Sequence, residues 1–229
     1  MRILAIDTSC GAASACVAES GAAEPVAVET LPMQRGHAEA LAPMLQRLMA
    51  GVEGGFASLD RIAATVGPGS FTGIRIGLAT ARAIGLGLSL PVVGVSSLVA
   101  FAGPLLADPK PGVIAASIDA KHGKVYLQLL EANGRPLLPP RLAGLRDAIR
   151  LIGAGPVRLT GNGAALLAAE AARIGLAAEI AGNLDYPDIV AVARLGLVAE
   201  PSQSPPRPLY LKAADAQAPE NPAVARAGS

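Results

Sequence analysis

Residues 67–85 read GPGSFTGIRIGLATARAIG. The stretch opens as a turn and continues as a helix, yet it carries glycine at 73, 77 and 85. Each glycine in an exposed helix interior costs roughly 1 kcal/mol relative to alanine. On a helical wheel Gly73, Gly77, Ala81 and Gly85 form one small-residue ridge, flanked by Ile74, Ile76, Leu78 and Ile84. Ala79, Ala83 and Leu86 lie opposite, and the charged residues Arg75 and Arg82 share a narrow stripe. A helix apolar nearly all round must be buried on more than one side. Its own sheet and one neighbouring helix leave part of it uncovered, and what remains is a docking surface or an exposed apolar patch. The competing possibility is internal packing alone, with the glycines seating the helix on its own sheet. Gly67-Pro68-Gly69 makes a tight turn and Ser70 is the expected N-cap. A helix start after a glycine turn can hold phosphate. However, there is no Gly-Lys-[Ser/Thr], so this is not a P-loop.

Outward from this helix, 60–67 and 91–95 read as strands. Upstream, RILAIDTS (2–9) is a buried strand ending in a carboxylate and two hydroxyls, followed by strands at 12–20 and 24–31. A helix over 37–51 puts Leu41, Met44, Leu45, Leu48 and Met49 on one face, with Pro43 as a kink. The pattern restarts at 113. Strands are expected at 113–120, 124–131 and after the NGRPLL turn. A helix over 145–153, a strand over 156–161, a helix over 162–175, a short strand near 177–181 and a helix from about 188 to 199 follow. Ile6-Asp7-Thr8-Ser9-Cys10-Gly11 parallels Ile118-Asp119-Ala120-Lys121-His122-Gly123. Two copies of strand-strand-strand-helix-strand-helix-strand are the natural interpretation.

Two such halves facing each other point to an α/β, actin/hexokinase-like (ASKHA) fold. It has two RNase H-like subdomains with mixed sheets and flanking helices, and nucleotide lies in the cleft between them. Asp7 and Asp119 then end the first strand of each half, facing that cleft, and Thr8 and Ser9 are placed to meet phosphate. The expected division is 1–105, with the partner-binding helices, 106–212, and a flexible tail over 213–229.

Composition agrees with a packed globular chain. Of 229 residues, 52% are hydrophobic, 16% charged and only 3% aromatic, so Ala, Val, Ile and Leu must build the core. The formal net charge of +1 lacks the basic excess of a protein that grips nucleic acid unaided. Cys10 and Cys16 fit no metal or disulfide pattern and are expected as free thiols in a reducing cytoplasm. The apolar run at the N-terminus is too short for a signal peptide. Residues 83–107 carry no charge and are long enough to span a bilayer, but Pro91 and the Gly103-Pro104 pair break the run. A helix end, a buried strand and a following helix explain it better.

GPGSFTGIRIGLATARAIGLGLSLPVVGVSSL closely resembles the bacterial TsaB (YeaZ) family. ILAIDTS, the RGHAEAL-x-P segment, IDAKHGKVY and the late PLYLK also match, so the resemblance runs from residue 2 to about 212. It implies the non-catalytic subunit of the machinery that installs threonylcarbamoyl on N6 of adenosine 37 in tRNAs reading ANN codons. The catalytic paralogue, TsaD, holds a metal with two histidines four apart on a helix. Here Ser97 and Phe101 occupy those places, and neither suits a metal. The chain's only histidines are His37 and His122, in different halves. The Gly-Gly-Gly phosphate loop of active superfamily members is absent, and Gly161-Asn162-Gly163 is only similar to an adenosine-binding turn.

The resemblance further implies a scaffold that pairs with the TsaD-like paralogue through its first two helices. The candidate interface residues are Leu41, Met44, Leu45, Leu48, Gly73, Ile74, Arg75, Gly77, Leu78, Ala81, Arg82 and Gly85. No catalytic or metal-ligating residue is expected, and no cofactor on this chain alone, with ATP or ADP at the subunit junction. A TsaE-like ATPase joins the assembly, a TsaC-like synthase supplies threonylcarbamoyl-adenylate, and tRNA is engaged indirectly. A homodimer forms through the same surface when the partner is missing, and no membrane is involved. The alternatives are an actin-like ATPase or phosphotransferase using Asp7, and a metallopeptidase-like protein.

Overall fold

The computed structural model describes residues 1–108 and 110–211. Three antiparallel strands, β1 (Arg2–Asp7), β2 (Ala12–Glu19) and β3 (Ala27–Pro32), lead into helix α1 (His37–Ala50). Then come β4 (Arg61–Gly67), α2 (Phe71–Leu88), β5 (Val92–Ser96) and α3 (Ser97–Ala107). The series repeats as β6 (Val113–Asp119), β7 (Lys124–Leu130), β8 (Pro136–Gly144), α4 (Leu145–Ile152), β9 (Val157–Thr160), α5 (Ala164–Ala172), β10 (Ala178–Ile180) and α6 (Ile189–Val198). The first sheet runs β3-β2-β1-β4-β5 and the second β8-β7-β6-β9-β10, the same order twice. In each, the first strand pairs antiparallel with the second and parallel with the fourth. This is the duplicated actin/hexokinase-like architecture expected from the element order.

Local chemistry accounts for the elements. Leu4, Ile6, Ala13, Ala15 and Val17 alternate toward one face of the first sheet, where α1 and α2 cover them. Leu41, Met44, Leu45 and Leu48 sit at helical spacing on the buried face of α1. Ser70 caps α2 by accepting from the Gly73 amide at 3.2 Å. Leu127, Leu159, Ile149 and Leu167 form the equivalent core under α4 and α5.

The remaining two helices are exchanged between the halves. In sequence α3 closes the first repeat, yet Leu98, Phe101 and Leu105 pack with Ile114, Ile118 and Leu130 of the second sheet. Helix α6 closes the second repeat, yet Ile189, Val192 and Ala193 pack on Ile3, Ala5 and Val93 of the first. The two helices also touch each other, where Gly103 leaves room for Ala191. The layers are therefore α1/α2, first sheet, α6/α3, second sheet, α4/α5. A division at 105/106 separates the sheets but not the cores. Gly196 lets α6 sit low on the first sheet, since a Cβ there would lie 2.6 Å from the Ala63 side chain.

After α6 the chain stays with the first half. The Gly94 amide donates to the Ser204 carbonyl at 2.8 Å and the Leu209 amide to the Val66 carbonyl at 2.8 Å. Residues 204–211 thus form a strap along the first sheet and the start of α2. The expected tail, 213–229, lies outside the described residues, as does Lys212 of the PLYLK motif. The uncharged run 83–107 divides into the end of α2, β5 and α3. Among the described residues no helix is long and apolar enough to cross a membrane.

Candidate functional site

β1 and β4 run parallel, so their carboxyl ends open side by side in the middle of the first sheet, and β6 and β9 do the same in the second. Ligands of open α/β sheets bind outside such strand ends. The two aspartates singled out in the sequence end β1 and β6, yet their surroundings differ.

Asp7 is fully buried. Its Oδ1 accepts from the Ser9 amide (3.0 Å), Ser9 Oγ (2.6 Å) and Thr65 Oγ1 (2.6 Å). Its Oδ2 is buried without a hydrogen-bond partner among the described residues. Burial raises the carboxyl above its ordinary pKa, and the Ser9 and Thr65 donors offset only part of that. Ser97, at one of the two paralogue histidine places, donates to Ser9 Oγ at 3.0 Å and extends the chain of hydroxyls. Phe101, at the other, is buried, and its carbonyl accepts from Thr160 Oγ1 at 3.0 Å. Thr8 donates to the Gly73 carbonyl at 2.6 Å. Asp7, Thr8 and Ser9 therefore hold the end of β1 to α2, β4 and α3 and do not face the cleft. All three are buried, and none of them lines the cleft.

Asp119 does reach the cleft. Its carboxylate accepts from the Lys121 amide (2.8 Å) and pairs with Lys121 Nζ (2.9 Å), while its own amide donates to Asn162 Oδ1 (2.8 Å). Lys121, His122 and Gly123 have successive φ values of 64, 53 and 70°, an uncommon left-handed run in the β6–β7 turn. That turn closes one side of a cleft of about 320 Å³. The start of α2 and the strap residues Leu209 and Tyr210 close the other. Gly161-Asn162-Gly163, similar to an adenosine turn, instead ties β6 to α5 through Asn162. His37 Nε2 lies 3.2 Å from the Cys10 carbonyl. Among the described residues no three His, Cys, Asp or Glu side chains are grouped to hold a metal ion. The cysteines are both free.

The candidate interface residues divide sharply. Leu41, Met44, Leu45, Leu48, Gly73, Ile74, Gly77, Leu78, Ala81 and Gly85 are all buried within the chain. The glycine ridge is the seat of α2 on β1 and β5. A Cβ at Gly73 would strike the Thr8 carbonyl oxygen, one at Gly77 would lie 2.6 Å from Thr8 Oγ1, and one at Gly85 would strike the Val92 side chain. Internal packing explains the glycines, and the ridge as a partner surface is corrected. Arg75 and Arg82 are exposed but hold the strap. Arg75 stacks on Phe71 at 3.7 Å and donates to the Tyr210 hydroxyl at 3.0 Å, and Arg82 donates to the Pro206 carbonyl. The strap itself was missed by sequence reasoning. Its signals are the prolines at 205, 206 and 208 and Gly94, whose missing side chain admits the Pro205 carbonyl.

What α2 leaves outside is the opposite face. Thr72, Ala79, Ala83 and Leu86 are exposed, Leu86 at 85%. Beside it α1 exposes Ala42, Pro43, Gln46 and Ala50. This two-helix face, bordered by the exposed Glu39, Arg47 and Arg82, is the candidate docking surface.

Known proteins match the chain at two levels. The profile of the family "TsaD: tRNA N6-adenosine threonylcarbamoyltransferase" matches residues 31–141. The "tRNA threonylcarbamoyladenosine biosynthesis protein TsaB" of Escherichia coli is 36% identical over 126 residues, 55% of this chain and 53% of that protein. The chain thus spans about half the length of the curated relatives it matches. The solved YeaZ of Pseudomonas aeruginosa superposes with a TM-score of 0.67 at 25% identity, over 92% of this chain and 99% of that one. A second Pseudomonas aeruginosa structure, of a protein "with similarity to peptidase YEAZ", gives 0.72 at 27% identity, with the same coverage. By sequence over about half its length and by fold over nearly all of it, the chain is similar to TsaB and YeaZ proteins.

Proposed function

We propose that this chain is a non-catalytic scaffold for threonylcarbamoylation of N6 of adenosine 37 in tRNAs reading ANN codons, working in the cytoplasm. The observation that carries the proposal is the two-helix outer face of α1 and α2, with Leu86 85% exposed, in the half that holds the family's GPGSFTGIRIG motif. The TsaB names of its relatives support the pathway, and the face supports docking of a TsaD-like catalytic paralogue. In the partner's absence the same face pairs two copies. A TsaE-like ATPase joins the assembly and a TsaC-like synthase supplies the threonylcarbamoyl-adenylate. ATP or ADP belongs at the subunit junction.

The buried Asp7 supports a supporting rather than a chemical role. A carboxylate that positions water or magnesium on a nucleotide must reach the cleft, and this one is enclosed by Ser9 and Thr65. Reconstitution with the cognate TsaD-family protein tests the proposal. The expected result is a co-eluting complex whose tRNA modification needs this chain and persists with Asp7→Asn. Modification at full rate without the chain, or nucleotide turnover by the isolated chain that Asp7→Asn abolishes, overturns it.

A further inference from the structure

The repeat places α4 and α5 where the first half has α1 and α2, but the outer face they present is of another kind. Around α4 lie Lys124, Arg141, Arg146, Arg150 and Arg173, all exposed, with two carboxylates, Asp147 and Glu170, among them. The whole chain carries a formal net charge of only +1, so positive charge is concentrated here and the rest of the molecule is net negative.

Glu170 organises the cluster. Its side chain is only 11% exposed, yet one carboxylate oxygen lies 3.6 Å from Arg146 Nε and the other 2.9 Å from Arg173 Nη1. The two guanidinium side chains are themselves 85% and 74% exposed. A buried carboxylate needs one partner to be neutralised, and here it holds two like charges side by side, facing water. Arg150 pairs with Asp147 at 3.2 Å, where both are well exposed. Such a surface pair is worth about 0–1 kcal/mol, so Arg150 is readily redirected to a stronger anion. Between Arg146, Arg150 and Arg173 lies a groove of about 610 Å³ with the buried Ile149 at its floor and Ile174 and Leu176 along its sides. On the other side of α4, Lys124 and Arg141 border a second concavity that shares Arg150.

The geometry points to an RNA-binding surface on α4 and the end of α5. In it Lys124, Arg141, Arg146, Arg150 and Arg173 contact backbone phosphates, and the apolar floor receives an unstacked base. Guanidiniums are suited to phosphate because their planar fork matches its oxygens, and an apolar floor between arginines suits the face of a base. The choice of RNA over another polyanion rests on the proposed function. The modest total charge fits a surface that binds RNA with moderate affinity by itself and adds grip and orientation within a complex.

The test is fluorescence anisotropy of the full-length chain with a labelled, unmodified tRNA transcript across a salt series. The variant combines Lys124→Gln, Arg146→Gln and Arg150→Gln and leaves Arg173 on Glu170. Counterion release at 0.1 M salt is worth about five- to eightfold per phosphate contact, so the variant should bind roughly 100- to 500-fold more weakly. Its salt dependence should be shallower by about two to three in slope. It should still co-elute with the TsaD-family partner. If thermal melting shows the triple variant to be destabilised, Arg141→Gln with Arg150→Gln, neither of which pairs with Glu170, carries the same test at roughly 30-fold. Unchanged affinity or slope overturns the inference, as does failure of the wild-type chain to bind the transcript. So does equal competition by polyglutamate or by phosphatidylglycerol vesicles, which would make the surface a general anion patch. None of these outcomes bears on docking at α1 and α2. Conversely, loss of the TsaD-family complex with RNA binding intact removes the scaffold role and leaves this surface standing.

Discussion

Replacing Gly73 by alanine separates the two roles that the small-residue ridge can have. In a free helix the change adds about 1 kcal/mol of stability, because glycine loses more backbone entropy on ordering than alanine does. Here the added Cβ meets the Thr8 carbonyl oxygen, a backbone atom at the end of the central strand that cannot rotate away. The helix must lift off β1, which strains the 2.6 Å bond from Thr8 Oγ1 to the Gly73 carbonyl and loosens Ile74 and Leu78 beneath it. Overpacking of this kind costs about 1–3 kcal/mol, and a broken buried hydrogen bond adds about 1–3 more. Set against the propensity gain, the net loss is about 1–5 kcal/mol, or a fall of roughly 2–20 °C in melting temperature for a chain of this size. Gly87 provides the control, in the same helix but with nothing within 4 Å of an added Cβ. Gly87→Ala should raise the melting temperature by about 2–3 °C. Differential scanning calorimetry of the isolated chain reads both. A Gly73→Ala protein that melts at or above wild type would falsify the placement of the ridge against β1.

Three further outcomes follow from the site. Leu86→Asp changes a side chain that is 85% exposed, so folding should shift by no more than about 0.5 kcal/mol, while binding to the TsaD-family partner, measured by calorimetry, should weaken at least about tenfold. Burial raises the Asp7 carboxyl, so ionising it opposes folding. Its contribution is most favourable below the unfolded carboxylate range and is lost as pH rises through the raised folded value. Denaturant midpoints of wild type and Asp7→Asn from pH 4 to 8 should therefore diverge, with wild type losing ground as pH rises. Cys16 is buried, its thiol pushed up to about 12 by burial with the charge of Asp188 adding, so it should resist iodoacetamide at pH 8 until the chain is unfolded.

Periodicity and turn chemistry are local, and they made much of this protein legible from its sequence. The alternation of Leu4 and Ile6 across from Ala15 and Val17, the spacing of Leu41, Met44, Leu45 and Leu48, and the Ser70 cap each depend on neighbours a few residues away. The restart of the pattern at 113 exposed the duplication for the same reason. The GPGSFTGIRIG motif pointed to the family. None of these features says which side of an all-apolar helix lies inward. The glycine ridge looked equally suited to a partner or to the sheet, and only the approach of Thr8 to Gly73 and Gly77 decided it. Asp7 at a strand end looked available for chemistry until Thr65, Ser9 and Ser97, scattered over ninety positions, closed over it.

The two-fold repeat, the elements within it and the likeness to TsaB and YeaZ proteins were all readable in the residues alone. The tertiary structure alone decided the exchange of α3 and α6 between the sheets, the strap held by Arg75 and Arg82, and the pairing of Arg146 and Arg173 on Glu170. Contacts between segments far apart in the chain leave no period to read. They are set by which apolar surfaces remain once each sheet is formed, and by where a missing side chain lets two backbones meet.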